Sequence, residues 1–159
     1  MKRWKILLLT LFLVLAGCME PEQVSGPKVD PIDYIVKEGL GNNLSSFARR
    51  ASRKTQTYRI IESKLGDTEA NRVVGEELAL SIEEHQDEWN RNLAKAYSEL
   101  LTIEEINSLY YNGKRSQYYD KRLKLLGEIG KSMQVKSKSL LIKVVSESMQ
   151  RAFERVSPQ

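Results

Sequence analysis

Two residues with chemical potential occur once each in this chain, Cys18 and His85. A cysteine sulfur is the strongest nucleophile among the side chains, and an imidazole serves as acid, base or metal ligand. His85 has acidic neighbours in Glu83, Glu84, Asp87 and Glu88. A zinc centre draws about four ligands from His, Cys or carboxylate, and a di-iron bundle needs two Glu-x-x-His pairs. One histidine and a cysteine far away in sequence supply neither, so no metal and no cofactor is expected. At their spacings most of these acids face solvent, and paired carboxylates for glycan cleavage need a cleft that nothing here frames. His85 instead falls between Ile82 and Trp89 on an apolar stripe, the place of a core-edge residue. The chain also shows no Gly-rich phosphate loop or serine elbow. The expectation is a protein without enzymatic activity.

Contact chemistry is better represented. Tyr110, Tyr111, Tyr118 and Tyr119 flank Asn112-Gly113-Lys114-Arg115-Ser116. Tyrosine beside arginine is what protein contact surfaces favour. Tyr110, Tyr111, Lys114, Arg115 and Tyr118 are therefore the candidate partner surface. The competing reading packs Tyr111 and Tyr119 into the hairpin and leaves the others at its edge.

Cys18 closes a different pattern. Lys2, Arg3 and Lys5 precede an apolar run from Ile6 to Leu15, then Ala16, Gly17 and Cys18. This is a secretion signal in three parts. The run falls well short of the ~30 Å hydrocarbon core of a bilayer. The string Leu15-Ala16-Gly17-Cys18 resembles the bacterial lipobox at all four positions. The resemblance covers residues 1–18. It implies a diacylglyceryl thioether on Cys18, cleavage after Gly17 and acylation of the new amine. Several acyl chains make a stable anchor where one would bind only marginally. The residues after the cysteine are Met19 and Glu20. The aspartate that retains enteric lipoproteins at the inner membrane is absent there, so the resemblance implies an outer-membrane anchor facing the periplasm. The sole cysteine is then committed to lipid, and no disulfide forms within the chain.

Charge is to be read after cleavage. The chain has 25 Lys+Arg against 21 Asp+Glu. Removing residues 1–17 takes Lys2, Arg3 and Lys5 and leaves a near-neutral mature protein. Its basicity is thus poor evidence for nucleic-acid binding, and no nucleic-acid partner is expected. The expected partners are the membrane, through lipid on Cys18, and an envelope protein. The oligomeric state is left open.

Three segments follow: 1–17 a removed signal peptide, 18–30 the lipidated N-terminus and linker, and 31–159 a helical domain. The linker's Pro21, Gly26 and Pro27 read as a flexible tether, about 20 Å long as a coil. The domain is rich in helix formers and reads as all-α. Asp30 and Pro31 start a short helix that Gly39 and Gly41 stop. A helix over about 44–65 carries Leu44, Phe47, Ala51, Tyr58, Ile61 and Leu65 on one face, and Gly66 ends it. Two long helices, about 68–101 and 117–156, are joined by a short helical hairpin that opens on the capping box Thr102-Ile103-Glu104-Glu105.

The first long helix places Val74, Leu78, Ile82, His85, Trp89, Leu93, Ala96 and Leu100 on its stripe. The second carries a heptad of Tyr119, Leu123, Leu126, Gly130, Met133, Ser137, Leu140 and Val144. Leu125, Ile129, Leu141 and Val145 widen it beyond a two-helix seam, which favours core packing over a dimeric coiled coil. The small residues Gly130 and Ser137 mark where a pocket for a lipid or small hydrophobic ligand would open, the alternative function. Residues 76–105 contain nine acids and two bases, and residues 114–143 nine bases and two acids. Chain reversal sets these opposite fields side by side. A basic surface for anionic lipid headgroups or glycan phosphates is the functional alternative.

From Trp89 to about Met133 the order of features resembles the bacterial secreted helical family called domain of unknown function 2059. The features are Ala96-Tyr97, Leu101-Thr102-Ile103-Glu104-Glu105-Ile106, Leu109-Tyr110-Tyr111, a Gly-containing turn, and Tyr119 to Leu126. The chain departs at Asn112-Gly113, where that family usually has Ser-Pro. The resemblance implies an envelope helical domain and no reaction.

Overall fold

The computed structural model describes residues 26–157; the signal segment, Cys18 and most of the linker lie outside the described residues. Six α-helices follow in order: α1 Pro31–Lys37, α2 Leu44–Ser52, α3 Gln56–Leu65, α4 Asp67–Ser98, α5 Ile103–Asn112 and α6 Tyr119–Val156. There is no strand among the described residues. The long helices α4 and α6 run antiparallel as the spine. The short helices α1, α2 and α3 cover one side of the spine, and α5 with the turn after it forms the hairpin.

Local chemistry explains most boundaries. The Asp30 carboxylate accepts from the Ile32 amide at 2.9 Å, and Pro31 opens α1. Gly39 ends that segment with φ 61°, a backbone that favours glycine, and a 3-10 turn over Leu40–Asn43 leads into α2. Gly66, with φ 79°, separates α3 from α4. The Thr102 hydroxyl accepts from the Glu105 amide at 3.3 Å, and the Glu105 carboxylate accepts from the Thr102 amide at 3.0 Å. The capping box forms as expected.

Two expectations are corrected. The helix over 44–65 is two helices, because Thr55 caps α3 by accepting from the Tyr58 amide at 3.1 Å. Its own hydroxyl donates back to the Ser52 carbonyl at 2.7 Å. Within α2 the buried line runs through Leu44 and Ala48, whereas Phe47 is 43% exposed.

The heptad of α6 holds from Met133 to Val144 and fails before it. Leu123 and Leu126 are more than 40% exposed, and Gly130 is exposed. Ile129, Met133, Ser137, Leu140, Val144 and Ser148 are the buried series. Its spacings of four, four, three, four and four approximate an 11-residue period. That period matches a straight helix of 3.6 residues per turn better than a heptad does, since a heptad drifts ~20° per repeat.

The core has two clusters along the spine. One gathers Tyr34, Ile35, Leu44, Trp89, Leu93, Tyr97, Ile106, Leu109 and Ile129. The other gathers Ala48, Tyr58, Ile61, Ala70, Val74, Leu78, Val144, Met149 and Ala152. Ile82 and Leu141 pack against both.

Candidate functional site

The hairpin brings the five proposed surface residues to one tip. Gly113 turns the chain with φ 54°, and a 3-10 turn over Gly113–Arg115 leads to Ser116. The buried Ser116 hydroxyl shares a 2.8 Å hydrogen bond with Ser108 and accepts from the Tyr118 amide at 3.2 Å. Helix α6 then begins at Tyr119, two residues later than about 117.

The tyrosines are occupied within the protein. Tyr110, Tyr118 and Tyr119 pack against the first core cluster. The Lys37 ammonium lies 4.0 Å from the Tyr110 ring centroid and donates to the Tyr110 carbonyl. Tyr111 stands edge-on to Tyr110 at 5.0 Å, and its hydroxyl donates to the Pro27 carbonyl at 3.0 Å. Lys114 and Arg115 are exposed and make no ion pair among the described residues. Of the five proposed residues, these two alone are presented as free cations.

Tyr111 also holds part of the expected tether. The Val29 amide donates to Asn107 Oδ1 at 2.9 Å, and Val29 is buried. Gly26 passes so close to the Tyr111 ring that a Cβ there would run into it. Residues 26–30 thus lie packed across α5. Nothing in the sequence pattern pairs residue 27 with residue 111. The presence of Gly26-Pro27, which reads as linker, concealed the contact.

Beneath the tip, charge and aromatic rings are interlocked. Burial pushes the Tyr34 phenol well above its usual pKa. Burial works against the Arg122 cation, but the phenol oxygens of Tyr97, Tyr34 and Tyr119 together outweigh it and hold the guanidinium above its ordinary value. Burial likewise opposes the Glu105 carboxylate. The Lys121 ammonium, at 2.6 Å, and the Thr102 amide outweigh it and keep that carboxyl below its usual range.

The second group of polar residues lies along the α4–α6 seam. Ser81 and Ser148 are fully buried, with their hydroxyl oxygens 2.9 Å apart. Arg151 donates to Ser81 Oγ. The buried Glu77 carboxylate accepts from Arg155 at 2.6 Å and lies 3.3 Å from Arg151. One turn further, His85 Nε2 is 2.9 Å from Glu147 Oε2, with the His85 side chain 12% exposed. His85 is a core-edge residue with a carboxylate partner, as its place on the stripe implied.

The opposite fields do meet. Lys136 pairs with Glu99 and Lys121 with Glu105. The seam's buried carboxylate, however, is Glu77, and its partners are Arg151 and Arg155, which lie beyond the basic run.

Glu84, His85 and Glu147 offer ligand atoms within 4.8 Å of one another. A catalytic zinc uses three protein ligands and a water, so the donor set has the right number. Its charge is already matched: Arg151 lies 3.7 Å from Glu84 and Lys143 lies 4.0 Å from Glu147. Both charges would repel an arriving cation.

The third feature is an open groove between α3 and α6, of about 380 Å³, lined by Thr55, Ile60, Val145, Met149 and Phe153. Ile60 and Phe153 are each more than a third exposed. The expected pocket at Gly130 and Ser137 is not where this groove lies. Ser137 is buried with its hydroxyl 3.3 Å from the Met133 sulfur, and the space beside Gly130 is open.

The geometry thus defines an all-helical bundle with a docked N-terminal segment, a basic hairpin tip and one apolar groove. Set against family models, curated proteins and solved structures, the chain gives no match. No helix among the described residues is long and apolar enough to cross a membrane.

Proposed function

We propose that the protein is a lipid-anchored helical domain of the bacterial envelope, held on the outer membrane, facing the periplasm, and acting non-enzymatically through contacts with another envelope protein. The observation that carries this reading is Leu15-Ala16-Gly17-Cys18 behind a basic leader and a short apolar run. The test is replacement of Cys18 by Ser. Acyl labelling and membrane fractionation should both be lost, and persistence of either overturns lipidation at this residue. In-cell crosslinking through a photoreactive residue at position 118 should capture a specific envelope protein. An unchanged set of crosslinked species after Lys114→Ala with Arg115→Ala would remove the tip from the reading.

The α3–α6 groove favours a second reading, a binder of a small hydrophobic molecule. Its volume is within the range of ligand sites, ~300–1,000 Å³. Native mass spectrometry of the chain purified with Cys18 replaced should then show a retained ligand that Ile60→Asp releases. An empty chain under gentle conditions counts against it.

A further inference from the structure

The packing of residues 26–30 across α5 has a geometric consequence for an anchored chain. Cys18 is eight residues from Gly26. A fully extended chain of that length reaches roughly 28 Å. Helix α4 has 32 residues, which is about 48 Å of helix. Gly26 is held at Tyr111, near the hairpin tip, while the Gly66 turn begins the far end of α4. An anchor at Cys18 therefore keeps the tip near the membrane, and cannot hold the Gly66 end there while the bundle stands upright.

The surface at that end suits an anionic bilayer. Lys28, Lys114, Arg115 and Lys124 are all exposed. None has an ion-pair partner among the described residues within 4.0 Å. Lys28 lies near Glu104, and Asp120 is the acid in the first turn of α6. Between Lys114 and Lys124 there are five bases and one acid. Leu123 and Leu126, three residues apart on one flank of α6, are 42% and 44% exposed. Cations next to exposed leucines are the composition of a surface that rests at the headgroup level. Each Lys or Arg near an anionic surface contributes about 1 kcal/mol.

Building on the anchor reading, we propose that the hairpin tip, through Lys28, Lys114, Arg115 and Lys124 with Leu123 and Leu126, is a docking surface for the anionic phospholipid headgroups of the membrane that carries the anchor. The docked N-terminal segment sets this orientation, so the α3–α6 groove and the Gly66 end face away from the lipid. A membrane-proximal tip also gives Tyr111 a purpose: it fixes where the tether leaves the domain.

The sole cysteine makes the experiment clean, because an acylated Cys18 leaves no thiol to label. The full lipidated chain is reconstituted in vesicles of phosphatidylethanolamine and phosphatidylglycerol, three to one. A thiol dye is placed at Gln117→Cys or, as the distal control, at the exposed Thr68→Cys. Lipid carrying a headgroup nitroxide is the quencher. Quenching at position 117 should exceed that at 68 by about threefold or more, and the difference should shrink to the smaller bias left by the tether in phosphatidylcholine vesicles or when the four bases are changed to Glu. Equal quenching at both positions overturns the proposal, since the bundle then lies flat or tumbles. A difference of undiminished size after charge reversal also overturns it, because the tether alone then explains the proximity. Intact mass separates the two levels. An unacylated Cys18 sinks the anchor and this surface with it, whereas an acylated chain with equal quenching sinks the surface alone.

Discussion

The two halves of the bundle share α4 and α6 but are filled with different material. The half under α2 and α3 is packed with small aliphatic groups, Ala48, Ala70, Val73, Val74, Val144 and Ala152. Its polar content is concentrated in one buried network, Glu77, Ser81 and Ser148 with Arg151 and Arg155. The half under α1 and α5 is aromatic. Tyr34 meets Tyr97 edge-on at 5.7 Å, and Tyr110 meets Tyr111 edge-on at 5.0 Å. There the polar groups of Tyr and Trp are tied to distant segments, as Trp89 is to Asn43 at 3.0 Å. Small residues let α4 and α6 approach closely, and the buried ion pair selects one register between them. Large rings with polar edges instead hold short segments that have little helix of their own, namely α1, the Leu40–Asn43 turn and α5. The difference teaches that the spine is specified by fit and charge, and the hairpin end by aromatic staples.

The largest expected effect tests whether these halves form one cooperative unit. Trp89→Ala removes a 4%-exposed indole from the aromatic half and should cost about 3–5 kcal/mol. Leu78→Ala, in the aliphatic half, should cost roughly 2–5 kcal/mol. Because Ile82 and Leu141 pack against both clusters, both variants should lower one common urea transition, read by far- and near-ultraviolet circular dichroism alike. Two separated transitions in either variant would break the single-unit description.

A smaller effect addresses the buried charge. Glu77→Gln leaves Arg151 and Arg155 without their buried partner. The two guanidinium groups are 34% and 42% exposed, so water recovers part of the loss. A cost of roughly 1–3 kcal/mol in urea unfolding is expected. Glu69→Gln, on an exposed pair with Arg72, should change almost nothing. Equal effects from the two substitutions would show that the seam's network does not set register.

Acid probes the hairpin end through Glu105. Glu105 has its folded pKa depressed below 4.5, by Lys121 and the Thr102 amide acting against burial. A depressed carboxyl contributes stability that is full above the unfolded value and is lost as pH falls through the folded one. The urea midpoint should therefore drop once pH passes below about 4.5, and Glu105→Gln should show a shallower drop. Thr102→Ala, which removes the other half of the box, should cost about 1 kcal/mol at neutral pH. An acid limb unchanged by Glu105→Gln would mean that the hairpin's cap contributes nothing to linkage.

How much of this was legible in the sequence depends on range. Signals that act within a turn read correctly: Asp30-Pro31, Gly66 and the Thr102–Glu105 box each name their own partners. Thr55 is as local, yet its signal is masked, because Ala51 and Tyr58 are seven residues apart and the apolar spacing runs through the break. In α6 the leucines at 123 and 126 imitate a heptad, and only the neighbouring helices show that the buried line passes through Ile129 instead. Pairs such as Ser81–Ser148, His85–Glu147 and Pro27–Tyr111 have no sequence signature, since each is between segments more than 60 residues apart. The anchor motif is the reverse case. It is plain in the sequence and lies outside the described residues.

The smallest expected effect sharpens the hairpin end most. Tyr111→Phe deletes one hydrogen bond, from the phenol to the Pro27 carbonyl, and keeps the ring beside Gly26. The net loss should be about 0.5–1.5 kcal/mol, confined to a segment whose only other long-range bond is Val29 to Asn107 among the hydrogen bonds described. Global unfolding should hardly move, because residues 26–30 contribute only Val29 to the buried set. Local opening should respond: amide exchange at Val29 should quicken by roughly 2–10-fold, while Leu78 and Val144 keep their protection. Gly26→Ala tests the same contact from the other side, since the added Cβ forces the Tyr111 ring to shift. If exchange at Val29 were unaltered in both variants, the segment would be held by Asn107 alone, and the aromatic staple would end at Tyr110.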